Sequence, residues 1–337
     1  MSATDDARRS GLTIPLFGHA LGEHADVIRE ADQLGYTDLW SFETSGIDGF
    51  SPLVYAAALG TQARLGTAIV SAYTRGPAVL AMSATAVAQV APGRFVLGIG
   101  SSTEAIVQGW NGVPFVRPVS TVRESIRRMR HALAGERMSL SSDAKGSFRL
   151  EAPPPLPIPI YGGALRAGML RMVGEVADGV VINFLPPSAV PTVLAEVRAG
   201  AKAAGRDPSM IDVVCRNMVC IDGLNDETRA VARFILAVYV SSPPYEAFLR
   251  WIGMGELIDP MLAKWRAGDR AGALEAMSDE LITALLVVGD VDACRARLQE
   301  YRDGGVLVPC IAPFSGAADS RASIRNAIRE LSPARST

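Results

Sequence analysis

Short apolar runs alternate with amphipathic stretches from one end of the chain to the other. Leu12–Phe17 reads as a strand, and Ala25–Leu34 follows with Val27, Ile28, Ala31 and Leu34 at helical spacing before Gly35. The alternation continues through strands at Asp38–Phe42, Arg64–Val70 and Phe95–Ile99 and helices at Pro52–Leu59 and Ala78–Val90. It resumes with a helix at Val119–Leu133, where Ile126, Met129 and Leu133 make one stripe. Strands at Ile158–Tyr161, Gly179–Asn183 and Ile211–Ile221 are separated by helices at Leu165–Val176 and Val190–Ala204. Val306–Ile311 closes the strand series, and a last helix lies near Arg321–Leu331.

The strands are short and apolar at successive positions, so both faces are expected to be covered, as in a parallel sheet wrapped by helices. Eight such units in one chain predict an α/β fold of the TIM (β/α)8 barrel type, with an open sheet under a helical cap as the other arrangement. Residues 101–118 and 135–157 break the rhythm on either side of the fourth helix, and residues 226–285 form a mostly helical insertion between strands seven and eight. None of these pieces has its own strand set, so the expectation is a single barrel domain spanning 1–337.

Composition narrows the chemistry. The chain has 337 residues, 49% of them hydrophobic, and a net charge of −2. That balance does not predict a nucleic-acid surface. The longest nearly apolar run, Ala78–Ala91, is too short to span a bilayer, and no signal peptide is visible, so a soluble cytoplasmic protein is expected. Four cysteines without a CxxC pair are read as buried residues, and three histidines lack zinc-ligand spacing, so no metal is expected.

In a barrel the site lies at the C-terminal ends of the strands. There the sequence places Gly18 and His19, Glu43 and Thr44, Ser71–Arg75, Gly100–Glu104, Gly162–Ala164, Asn183 and Phe184, and Asp222. This mouth is rich in Gly, Ser and Thr and lacks the carboxylate sets of glycosidases or metal-dependent isomerases. None of the three lysines ends a strand, which argues against Schiff-base chemistry. Walker and GxSxG motifs are absent, and GIGSST does not complete GxGxxG. The turn Tyr161-Gly162-Gly163-Ala164 leads into a helix and suits a phosphate at that helix's N-terminus; a tight turn of purely structural purpose has the same sequence. Arg75, Arg117, Arg166 and Arg171 are further candidates for an anion.

The blocks RLGTAIVSAYTRGP (64–77), GRFVLGIGSS (93–102), IPIYGGALRAGMLRMVGEVADGVVIN (158–183), SSPPYEAF (241–248) and LLVVGDVDACRARL (285–298) resemble the bacterial luciferase-like superfamily of flavin and deazaflavin oxidoreductases. The resemblance extends over nearly the whole chain and leans to the coenzyme F420-dependent branch that includes methylenetetrahydromethanopterin reductase. It implies a cofactor ring in the barrel mouth and a non-prolyl cis peptide at Ala68–Ile69. It also implies Ser71 near the ring, Gly100, Ser101 and Ser102 along the ribityl side, and Gly162, Gly163 and Ala164 at the phosphate. Many F420-dependent relatives end strand two with Asp-His; here the pair is Glu43-Thr44, so the family's histidine is absent. Glu43 and His19 are the remaining groups for acid/base work. The implied function is hydride transfer between F420 and a small organic substrate. FMN-dependent monooxygenation and non-catalytic cofactor binding are the alternatives, and a homodimer is expected by analogy.

Overall fold

The computed structural model describes residues 9–139 and 146–335. All strands of the sheet run parallel. They comprise β1 (Gly11–Thr13), β2 (Asp38–Ser41), β3 (Arg64–Thr67), β4 (Val70–Ser71), β5 (Phe95–Gly100), β6 (Ile160–Gly163), β7 (Gly179–Asn183), β8 (Asp212–Cys220), β9 (Val287–Val288) and β10 (Val308–Pro313). Neighbours follow chain order from β1 to β8, with β3 and β4 acting as one interrupted strand. The pairing of β10 with both β8 and β1 closes the ring and excludes the open sheet. The result is an eight-stranded TIM barrel, as the alternation predicts. β9 adds a two-residue extension at the end of β8.

The helices α1 (Ala25–Gln33), α2 (Ser51–Ala58), α3 (Pro77–Val90), α4 (Pro118–Leu133), α5 (Ala167–Val176) and α6 (Val190–Ala203) cover the outside. Proline sits in the first turn of α2, α3, α4 and α6, where its missing N–H costs no helical bond. α5 and α6 touch closely through glycines. A Cβ on Gly174 would lie 2.0 Å from the Val197 carbonyl, and one on Gly200 would lie 2.0 Å from that of Arg171.

The insertion after β8 is five helices, α7 (Asp226–Val240), α8 (Pro243–Trp251), α9 (Gly255–Arg266), α10 (Arg270–Glu275) and α11 (Asp279–Leu285). Its limits match the expected 226–285. The barrel helix that belongs between β8 and β10 is α12 (Val291–Asp303), capped by the Asp290 carboxylate. α13 (Ser320–Glu330) completes the ring. The segment 101–118 contains a π-helix at Ala105–Trp110, and 135–157 contains a single antiparallel bridge between Met138 and Phe148 among its described residues.

Inside the barrel, Trp40, Val96, Tyr161, Val181, Val214, Val308 and Cys310 fill the axis. Three glycines make room for the large rings. A Cβ on Gly66 would meet Trp40 at 2.3 Å, one on Gly179 would meet Tyr161 at 2.7 Å, and one on Gly11 would lie 3.1 Å from Trp40. The N-terminal end is shut by ions. Arg9 pairs with Asp38, and Arg64 donates to Asp212 at 3.2 Å and to the Tyr161 hydroxyl at 2.9 Å. Access to the interior is therefore from the C-terminal mouth.

Candidate active site

The floor of the mouth is built from strand ends that lack side chains. On β5 a Cβ at Gly98 would sit 1.8 Å from the Thr67 carbonyl oxygen, and the Thr67 hydroxyl donates to the Gly98 carbonyl at 2.9 Å. The chain therefore crosses between β3 and β4 directly over a glycine. That crossing contains the cis peptide Ala68–Ile69, the bond the resemblance implies. A second cis bond, Ile14–Pro15, was not expected.

Ile69 lies half-buried against Gly100 of β5 and Gly163 of β6. A Cβ on Gly100 would approach its Cδ1 to 2.8 Å, and one on Gly163 its Cγ2 to 3.2 Å. The Ile69 side chain thus packs on the bare backbones of Gly100 and Gly163 as one apolar patch. Ser71 is buried beside it, paired in register with Gly100, and its hydroxyl accepts from the Tyr73 amide at 3.1 Å. Ser101 and Ser102 continue from Gly100, with Ser102 in the left-handed region at φ +59°.

The Gly-Gly turn divides its labour. Gly163 faces the patch, whereas Gly162 faces outward, where a Cβ would meet Val173 of α5 at 2.3 Å. The Ala164 amide is taken by the Val181 carbonyl at 3.2 Å. Free amides remain at the start of α5, which has no side-chain cap. Arg166 at its N-cap is exposed and, among the described residues, has no side-chain partner, as is the case for Arg117. Arg171 pairs instead with Glu196 on α6, and Arg75 pairs with Glu43.

That last pair fixes the loop after β2. The Glu43 carboxylate accepts from Arg75 Nη2 at 2.5 Å and from the Gly49 amide at 3.2 Å. His19 stands apart on the β1 loop. Its Nδ1 lies 2.8 Å from the Phe17 carbonyl, which can only accept, so Nδ1 carries the proton and Nε2 is left as an acceptor. His24 behind it is fully buried, accepts from the Leu16 amide at 2.7 Å through Nε2 and donates to the Ala20 carbonyl through Nδ1. Burial holds its pKa below the usual histidine value.

Aromatic rings wall the mouth. Phe17 and Phe42 stand 6.2 Å apart on one side. On the other, Phe184, Tyr239 and Tyr245 form a cluster with centroids 4.0 to 5.8 Å apart, and the Tyr245 hydroxyl bonds the Asn183 amide. The insertion helices α7 and α8 thereby reach the mouth. Arg216 of β8 is also here, although the sequence reading passed it over. The signal was available: a charged residue in the middle of a long apolar strand. Among the described residues no three His, Cys, Asp or Glu side chains gather to hold a metal ion, and no helix is long and apolar enough to cross a membrane.

Comparison with known proteins agrees with this geometry. The family model described as luciferase-like monooxygenase matches residues 4–307. The chain is 31% identical over 287 residues to 5,10-methylenetetrahydromethanopterin reductase of Methanolobus tindarius, covering 82% of this chain and 85% of that one. Among solved structures, the coenzyme F420-dependent tetrahydromethanopterin reductase of Methanopyrus kandleri superposes with a TM-score of 0.79 at 22% identity, covering 96% and 97% of the two chains. The oxygenating constituent of 3,6-diketocamphane monooxygenase from Pseudomonas putida, solved with FMN, superposes with a TM-score of 0.65 at 16% identity, covering 96% of each.

Proposed function

The chain belongs to the luciferase-like monooxygenase family, and from that premise we propose that it is a coenzyme F420-dependent oxidoreductase acting on a small organic substrate. The observation that carries the choice of F420 is the 31% identity with a methylenetetrahydromethanopterin reductase across most of both chains. The site's form supports a planar cofactor. Ile69 packs on the bare backbones of Gly100 and Gly163 and, being half-buried, offers its outer side as an apolar surface that a Cβ on either glycine would displace. The uncapped start of α5, with Arg166 beside it, suits a phosphate.

When bound there, the deazaflavin supplies hydride chemistry. The protein's share is positioning, exclusion of water and handling of one proton. Ile69 buttresses the ring face, held over Gly98 by the Thr67 hydroxyl. Phe17, Phe42 and the Phe184–Tyr239–Tyr245 cluster exclude water from the space above. Of the two ionisable candidates, Glu43 is occupied by Arg75 and Gly49, whereas His19 keeps Nε2 open. We assign proton exchange with the substrate to His19 Nε2 and the holding of the β2 loop to Glu43.

The test is anaerobic. Reduced F420 is mixed with the protein and a panel of carbonyl and carbon–carbon unsaturated compounds, and ring reoxidation is followed by absorbance. Reoxidation that requires both protein and one compound supports the proposal. Oxygen-dependent turnover with reduced FMN, and none with F420, would replace it with a monooxygenase.

A further inference from the structure

One cation inside the barrel, Arg216 of β8, is buried without a counter-charge among the described residues. Arg216 is only 5% exposed, and its Nε and Nη2 are sealed from solvent without a hydrogen-bond partner, which leaves Nη1 as the guanidinium nitrogen that reaches open space. It lies two residues beyond Val214, a member of the axial cluster, so strand alternation turns it inward as well. Its register neighbours are Asn183 on β7 and Cys310 on β10. Its guanidinium carbon sits 4.1 Å from the centre of the Phe42 ring.

A buried arginine without an acceptor is costly, because desolvation is not offset by a counter-charge. The same barrel shows the ordinary solution at its other end, where Arg9 and Arg64 meet Asp38 and Asp212. Among the described residues no carboxylate meets Arg216. Glu43 is held by Arg75, and Asp222 accepts from the hydroxyls of Ser315 and Ser323. The groups near Arg216 are the Phe42 ring, the Cys310 thiol, the Asn183 amide and the Tyr245 phenol. The contact with Phe42 engages the guanidinium as a cation over the ring and leaves Nη1 free to donate.

We infer that Arg216 receives a carboxylate of the substrate, carried on a compact apolar body. Nη1, the nitrogen that reaches open space, can donate a charge-assisted hydrogen bond to a carboxylate oxygen. The rings of Phe17, Phe42, Phe184, Tyr239 and Tyr245 match the apolar body. The inference rests on the proposed function for one point: ring and phosphate lie on the β5–β6 side, leaving the β8 side to the substrate.

The probes are benzoate and its neutral counterpart benzamide, titrated calorimetrically into cofactor-free wild type, Arg216→Gln and Arg216→Lys. Wild type is expected to prefer benzoate at least tenfold. Arg216→Gln is expected to lose that preference and, without ligand, to unfold at a higher temperature than wild type, because the unpaired charge is gone. Arg216→Lys keeps the positive charge but shifts the donor from the position of Nη1 and is expected to retain a reduced preference; it decides the matter with wild type if the glutamine variant fails to fold. Equal binding of the two probes by wild type, or a full preference surviving in Arg216→Gln, overturns the inference. F420 is titrated into the same proteins. A tenfold loss of F420 affinity in Arg216→Gln, with the benzoate preference intact, would assign the arginine to the cofactor and overturn it too. If no protein binds F420 yet the benzoate preference follows Arg216, the anion site stands and the cofactor reading falls.

Discussion

Adding a single methyl group to Gly100 separates the cofactor's floor from the protein's stability. In Gly100→Ala the new Cβ would lie 2.8 Å from Ile69 Cδ1 and 2.9 Å from Cγ1, both closer than real Cβ contacts come. Ile69 must move. It cannot retreat toward β5, because there the Thr67 carbonyl already fills the face of Gly98. It is half-buried, so its side chain turns up into the mouth. Overpacking costs about 1–3 kcal/mol in a sealed core. An escape into open space puts this variant near ~1 kcal/mol, a fall in Tm of about 2 °C for a chain of this size. The ring, by contrast, loses its flat contact, and F420 affinity should fall at least about tenfold, ~1.4 kcal/mol. Gly174→Ala supplies the opposite case: its Cβ would strike the Val197 backbone between α5 and α6. There the stability loss should reach ~3 kcal/mol or more, with F420 affinity of the folded protein unchanged. Thermal unfolding and F420 fluorescence titration, run where both variants are folded, give the two numbers. Wild-type F420 affinity in Gly100→Ala would refute the placement of the ring.

His19→Asn should slow proton-dependent single turnover by about 100-fold or more, with F420 affinity unchanged. Glu43→Gln should instead leave single turnover near wild type and cost about 1–2 kcal/mol of stability through Arg75 and Gly49; the reverse pattern would exchange the two roles. Because burial lowers the pKa of His24, the unfolded chain binds its proton first as pH falls. Stability should be full above pH ~6.5 and decline below it, and His24→Gln should flatten that decline in thermal melts between pH ~5 and ~7. All four cysteines are buried, and burial pushes the thiols of Cys294 and Cys310 up to about 12. They should resist alkylation at pH ~8 in the native protein and react on unfolding; fast native labelling would contradict the packing.

The barrel was legible because its information is local and periodic. Each βα unit carries a short apolar run and a 3.6-residue stripe, and the chain order of the strands is the order of the sheet. The insertion was legible as a helical stretch without strands. What escaped depends on direction and partnership. Gly162 and Gly163 look alike in sequence, yet alternation on β6 sends one into α5 and the other into the mouth. Arg75 and Arg171 read as free cations until the fold brings Glu43 and Glu196 to them. Arg216 is hidden in the sequence because β8 runs nine residues, so its mouth-facing position lies inside the strand and not after it. α12 and β9 were hidden by the insertion that precedes them.

The most direct test of the central claim is a side-by-side equilibrium titration of the purified protein with F420 and FMN. F420 should bind saturably at one site per chain, more weakly in Gly100→Ala, and FMN should bind much more weakly. Tight FMN binding without F420 binding would contradict it.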